Sequence, residues 1–257
     1  MSAQPAIDRL WLHDDEEEDL VGSDLHQRAI VCVFGALQDV AEDASLTWHV
    51  GTKHTLVARL PDGRTWRPCP DIMVHPRAGS ASREEMVGSV DGPPALVIEV
   101  LSPTTWRYDR DEVQGKGAGY MAIGVDEYLL FDPLGSYLDP PCRAWRQRNG
   151  IVEDWLPEPD GRYRSASLGV AFRPEGEFLR TYGLSGEPVS THDERRREIA
   201  RLRADRERQS QETVQLRADQ KRQTQEIARL RTEYERLRRR VEEQGAGQPP
   251  ESDAGSQ

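Results

Sequence analysis

Three residues combine a reactive type with a telling setting: Asp71, Glu99 and Lys116. Glu99 stands inside ALVIEVL, residues 95–101, the most strand-like run of the chain. Side chains alternate along a strand, so Glu99 shares a face with Val97 and Leu101, while Ile98 and Val100 point the other way. A run apolar on both faces belongs at the centre of a sheet. A carboxylate buried there is costly unless a cation, a metal ion or partial solvent access compensates it. An ion pair at a sheet end is the purely structural alternative. Asp71 follows Pro70 at the start of the preceding short apolar run, 69–75, a place that also suits an ordinary strand-start residue. Two carboxylates on neighbouring strands form a hard oxygen site suited to Mg²⁺ or Mn²⁺. Lys116 is one of three lysines, with Lys53 and Lys221, among 31 arginines. A lysine in so arginine-biased a chain suggests a need for a compact point charge. At helical spacing Lys116 shares a face with Tyr120.

Other chemistries do not fit. Ser102 has no GxSxG context, and the six histidines form no metal-spaced pair. The glycines around Lys116 are not a phosphate-binding loop, because Arg110 stands where its first glycine belongs and Gly117 occupies the Ser/Thr place. Cys32, Cys69 and Cys142 contain no CxxC, which argues against a zinc ribbon or a disulfide framework.

Several short motifs then line up: Pro70-Asp71; LVIEVLSP at 96–103; Lys116-x3-Tyr120-x3-Gly124-Val125-x-Glu127-Tyr128; and Phe131-Asp132-Pro133. Together they resemble the Uma family of restriction endonucleases, of the PD-(D/E)xK nuclease-like class, over roughly residues 20–185. The resemblance implies a restriction-endonuclease-like fold, a mixed central sheet flanked by helices. It implies Asp71 and Glu99 as metal-binding carboxylates, the Val100 carbonyl as a further ligand, and Mg²⁺ or Mn²⁺ as the ion. In the usual motif the lysine lies two residues after the acid, where this chain has Leu101. The resemblance places it on the following helix instead, at Lys116. The implied activity is metal-dependent hydrolysis of DNA. A nuclease-fold scaffold whose catalysis has decayed is the alternative, and RNA is a further substrate class. Asp24 and His26, near the start of the first helix, are additional site candidates or ordinary helix-start residues.

The elements that must position these residues follow from periodicity. Ser23 caps a helix in which Leu25, Ala29, Val33, Leu37 and Val40 recur at helical spacing. Residues 46–60 read as strand with a bend near Gly51, and 61–63 as a turn. Residues 77–94 are rich in Gly, Ser and Pro and read as a loop. A helix capped by Thr104 or Thr105 runs to about Ile123, interrupted by Gly115, Gly117 and Gly119. These glycines allow a close backbone approach or mark a loosened site. Residues 127–131 form a strand. Arg148-Asn149-Gly150 turns a hairpin within 144–155, residues 162–172 add one or two strands, and a short helix covers 175–182. The fold class is α/β to α+β around a mixed sheet.

Composition divides the chain. Residues 1–190 carry 18 basic and 31 acidic side chains and sixteen of the seventeen aromatics, whereas residues 191–257 carry 16 and 14. The first part can build a core alone and the second cannot. Its acidity argues mildly against broad nucleic-acid affinity, softened because six of the acids sit in one run at 14–19. Residues 199–240 hold three copies of a 14-residue unit, IARLRADRERQSQE, TVQLRADQKRQTQE and IARLRTEYERLRRR. Fourteen residues are two heptads, which predicts a coiled coil that oligomerises the chain or docks a protein partner through 199–241, with its stickier half at 227–241. The expected organisation is an acidic segment 1–22, the nuclease-like domain 23–185, a linker 186–194, the coiled coil 195–243 and a disordered tail 244–257. The longest uncharged apolar run, 29–37, is too short for a membrane helix, and no secretion signal opens the chain, so a cytoplasmic protein is expected.

Overall fold

The ALVIEVL run becomes strand β6 (Leu96–Val100), every residue of it buried, at the middle of a six-stranded sheet. In the computed structural model, residues 24–76, 85–103, 106–110 and 115–245 are described. Contacts divide the chain into a unit ending at Glu194 and one beginning at Arg195.

The main sheet joins β1 (His49–Gly51), β4 (Ile72–His75), β6, β7 (Glu127–Phe131), β8 (Cys142–Arg148) and β9 (Ile151–Asp154), in the spatial order β1-β4-β6-β7-β8-β9. Only β6 and β7 run parallel within it. A parallel pair needs a crossover, and the helices α3 (Trp106–Arg110) and α4 (Lys116–Ala122) lie in that connection. Ile72, Val74, Leu96, Ile98, Val100, Leu129 and Phe131 face one core. There they meet helix α1 (Asp24–Asp43), through Ala29, Ile30, Val33, Leu37 and Val40. The same core includes residues of a second sheet, β10 (Tyr163–Arg164), β11 (Ala171–Glu175) and β12 (Phe178–Tyr182). Met73, Val97, Tyr128 and Leu130 face the opposite core. It includes Leu56 of β2 (Thr55–Arg59), Trp66 of β3 (Thr65–Trp66), Met86 of β5 (Glu85–Val87), and Tyr120 and Met121 of α4. The architecture is mixed α/β with mixed sheets and a long C-terminal helix, α5 (His192–Gly245).

Three elements depart from the sequence expectation. The supposed loop 77–94 contains β5, which pairs in parallel with β2 (Leu56↔Met86), and the short helix α2 (Gly88–Asp91). Three-residue strands are too short to show a period. The single helix expected from Thr104 to Ile123 is two helices, and its proposed threonine caps lie outside the described residues. The helix expected over 175–182 is instead strand β12. Gly176 takes φ +61° in a tight turn, and Ala171↔Tyr182 through Glu175↔Phe178 pair across the hairpin. The Asn149-Gly150 hairpin is as expected, both residues having positive φ. Residues 1–22, the Ser23 cap and the tail beyond 245 lie outside the described residues.

The chain between β12 and α5 turns through Gly183 N–H to Glu187 C=O (2.9 Å) and bridges Pro188 to Tyr182. Helix α5 opens with a capping box: Glu194 N–H donates to Thr191 Oγ1 (3.2 Å), and Thr191 N–H donates to Glu194 Oε2 (2.8 Å). Arg180 grips the same carboxylate with two bonds of 2.7 Å. That hydrogen bonding holds Glu194 down at about 2.

Gly117 explains part of the glycine-interrupted helix. A Cβ there would meet Tyr128 Cε1 at 2.8 Å, so only glycine lets α4 lie this close to β7. Gly117→Ala is expected to destabilise the fold by about 1–3 kcal/mol in urea unfolding. This is despite the roughly 1 kcal/mol helix-propensity gain that alanine brings. A stabilised variant would contradict the close packing.

Candidate active site

The β4–β6 register places the two acids. Ile72 pairs with Ile98 in antiparallel fashion, so continuing by one residue sets Asp71 opposite Glu99. The pairing is closed by side chains. Val100 N–H donates to Asp71 Oδ2 (2.8 Å), and Asp71 N–H donates to Glu99 Oε2 (3.3 Å). Asp71 and Glu99 are only 3% and 2% exposed, so both carboxylates depend on local compensation.

For Asp71 that compensation is cationic. Lys53 Nζ sits 2.7 Å from its Oδ1, and His26 Nε2 faces the same oxygen at 3.6 Å. Burial pushes the Asp71 pKa up, but the His26 imidazole and the Lys53 ammonium outweigh it and hold it at about 2. Lys53 lies in the turn between β1 and β2 with φ +50°, a left-handed conformation unusual for lysine. Its N–H donates to the Pro70 carbonyl (3.1 Å), which fixes that turn beside Asp71.

Glu99 is held from the α4 side. Tyr120 Oη–H donates to Glu99 Oε1 (2.8 Å), and Lys116 Nζ lies 3.8 Å from the same oxygen. Lys116 is the first residue of α4 and Tyr120 follows one turn later, which aims both at β6. Lys116 also lies 3.8 Å from Asp109 Oδ1 on α3. The Tyr128 hydroxyl, fully buried on the same face of the sheet, has no hydrogen-bond partner among the described residues. Burial, then the charges of Glu99 and Asp109, push its pKa well above the usual phenol value.

The structure therefore brings Asp71, Glu99 and Lys116 together. Val100 joins them through its amide. His26 belongs to the cluster, whereas Asp24 is exposed at the start of α1. Sequence reasoning missed Lys53, Asp109 and the role of Tyr120. The rarity of lysine was the one available signal for Lys53, since two of the three lysines converge here. Among the described residues no group of three or more His, Cys, Asp or Glu side chains gathers as a metal site. The donor chemistry nevertheless fits a divalent ion: two hard carboxylates adjoin, and Asp71 is kept ionised with a cation already at Oδ1.

Comparison with known proteins defines the class. The family model Uma2, described as "Putative restriction endonuclease", matches residues 8–171, and the chain belongs to that family. A nuclease is the activity this membership supports. One solved structure that the chain resembles is titled a "putative nuclease belonging to DUF820" from Anabaena variabilis. The match has 18% identity and a TM-score of 0.36, and covers 55% of this chain and 71% of that one. No curated protein matches the chain.

A pH dependence follows from Asp71. Its pKa is lowered on folding, so its contribution is fully present above the unfolded value of 3.8 and is lost as pH falls toward about 2. Wild-type protein is expected to lose on the order of 2 kcal/mol through this group between about pH 4 and 2. Asp71→Asn removes that part of the acid limb. Denaturant unfolding across this range checks it, and equal acid limbs would contradict it.

Proposed function

We propose that the chain is a cytoplasmic, divalent-metal-dependent endonuclease that hydrolyses DNA phosphodiester bonds. The observation that carries this reading is the buried Asp71–Glu99 pair flanked by Lys53 and Lys116. Asp71 and Glu99 would hold Mg²⁺ or Mn²⁺, with the Val100 carbonyl as a further oxygen donor. When bound, the ion would lower the pKa of a water and neutralise charge on the phosphate. Lys116 would orient the attacking water or stabilise charge growing on the phosphoryl oxygens. Tyr120 fixes the Glu99 carboxylate through its hydrogen bond. Lys53 would leave Asp71 when the ion arrives and turn its ammonium to the incoming phosphate. The two lysines supply local positive charge that the net charge of −11 conceals. Three cysteines with no disulfide-framework spacing suit a reducing compartment. No helix among the described residues is long and apolar enough to cross a membrane.

The decayed-scaffold alternative loses one of its supports, because Gly117 serves packing against Tyr128. We further propose that residues 199–241 of α5 serve assembly, with a second copy or another protein as partner.

Plasmid and linear DNA incubated with Mn²⁺ should be cut by the wild-type protein and not in EDTA. Asp71→Ala, Glu99→Ala and Lys116→Ala should each lose at least about 100-fold in rate. Tyr120→Phe, which removes only a supporting hydrogen bond, should lose about 10-fold. Cleavage that survives the acid variants or needs no metal would overturn the mechanism. Folded protein that binds DNA without cutting it would favour the scaffold.

A further inference from the structure

Helix α5 is continuous from His192 to Gly245, and all of its large apolar residues except Val214 fall at heptad positions a and d. Ile227, Leu230, Tyr234 and Leu237 form a shallow apolar strip bordered by Arg231 on one side and Glu233 on the other. These residues are exposed, Ile227 at 52% and Leu230 at 55%. The strip continues the heptad stripe. Position a is Ile199, Arg206, Thr213, Gln220, Ile227, Tyr234 and Val241; position d is Leu202, Gln209, Leu216, Gln223, Leu230 and Leu237.

The flanking positions carry the decisive pattern. Position g reads Glu198, Asp205, Glu212, Asp219, Glu226 and Glu233, all acidic, before Arg240. Position e reads Arg203, Ser210, Arg217, Thr224, Arg231 and Arg238, with no acid among them. In a parallel pair of helices, each g residue faces the e residue of the next heptad on the partner. That alignment sets Glu198 against Arg203, Glu212 against Arg217, Glu226 against Arg231, and Glu233 against Arg238. Asp205 and Asp219 face the neutral Ser210 and Thr224 instead. They already pair within their own chain, with Arg208 (3.6 Å) and Arg222 (3.7 Å). In an antiparallel pair, g faces g and e faces e, which lines acid against acid and arginine against arginine.

Register and stoichiometry follow from the seam. In register, Ile227, Leu230, Tyr234, Leu237 and Val241 meet their own copies as consecutive apolar layers. A slip by one 14-residue repeat sets them against Thr213, Leu216, Gln220, Gln223 and Ile227, leaving two apolar layers. Isoleucine at a with leucine at d, as at Ile199/Leu202 and Ile227/Leu230, favours two strands.

We propose that α5 recognises a second copy of this chain as a parallel, in-register, two-stranded coiled coil. The proposal rests on the assembly role given above to residues 199–241 and commits it to one occupant and one orientation. Both chains enter such a coil at the same end.

The test uses the full chain without DNA or metal, so failure of the nuclease reading leaves it untouched. Sedimentation velocity should give twice the 29.1 kDa chain mass, and Leu230→Lys with Leu237→Lys should return it to one. Reversing the acids (E212R, E226R, E233R) or the arginines (R217E, R231E, R238E) should abolish the dimer in each variant alone. Mixing the two variants should restore it. Leu202→Cys and Leu237→Cys variants, oxidised beside the parent chain as control for its own cysteines, should each form covalent dimers alone. A single-chain mass for the wild-type protein would overturn this inference and leave another protein as the partner of residues 199–241. Covalent dimers only in the mixture of Leu202→Cys and Leu237→Cys would mean antiparallel pairing and overturn this inference alone.

Discussion

The cross-strand pairing of Asp71 with Glu99, where the start of β4 meets β6, is the constraint on which the rest of this site depends. Two carboxylates that donate nothing to each other are tied to one another's strand by backbone amides, beneath a sheet that excludes water. That arrangement persists only if cations stay close. The fold delivers the Lys53 ammonium from the β1–β2 turn and the Lys116 ammonium from the start of α4, and sets the His26 imidazole of α1 beside Asp71. The parallel crossover between β6 and β7 is what brings α4 back over Glu99. Gly117 lets it come close enough for Tyr120 and Lys116 to reach.

Under the proposed metal-binding role, the acid pair faces a folding problem before an ion arrives. In this chain Lys53 answers it by placing an ammonium 2.7 Å from Asp71 Oδ1. The left-handed backbone at Lys53 and its N–H bond to the Pro70 carbonyl seat the turn that carries this ammonium beside Asp71. Under the proposed reaction the same ammonium becomes a phosphate contact, so one residue serves both states.

The sequence made much of this readable, for reasons that are physical. A doubly apolar run identified β6 as central, and a carboxylate in it needed an explanation whatever the family. Proline before Asp71 and the spacing of Lys116 and Tyr120 made those residues candidates. Lys53 was not legible because a contact between a turn and a strand start depends on register and on a positive φ, neither of which has a periodic signature. Asp109 was hidden for a similar reason: the 104–123 stretch looked like one helix, and only its division into α3 and α4 turns Asp109 toward Lys116. The short strands β5 and β12 escaped because two or three turns' worth of pattern is needed to tell a strand from a loop or helix end. The helix α5 was the easiest element to see, since a 14-residue repeat states its own period.

Calorimetric titration of the DNA-free protein with Mn²⁺ tests the central claim most directly. The account predicts one ion bound per chain, with binding lost in Asp71→Asn and in Glu99→Gln. It also predicts tighter binding in Lys53→Met, where the ion no longer competes with an ammonium for Asp71. Binding that is unchanged in both acid variants, or absent from the wild-type protein, would contradict it.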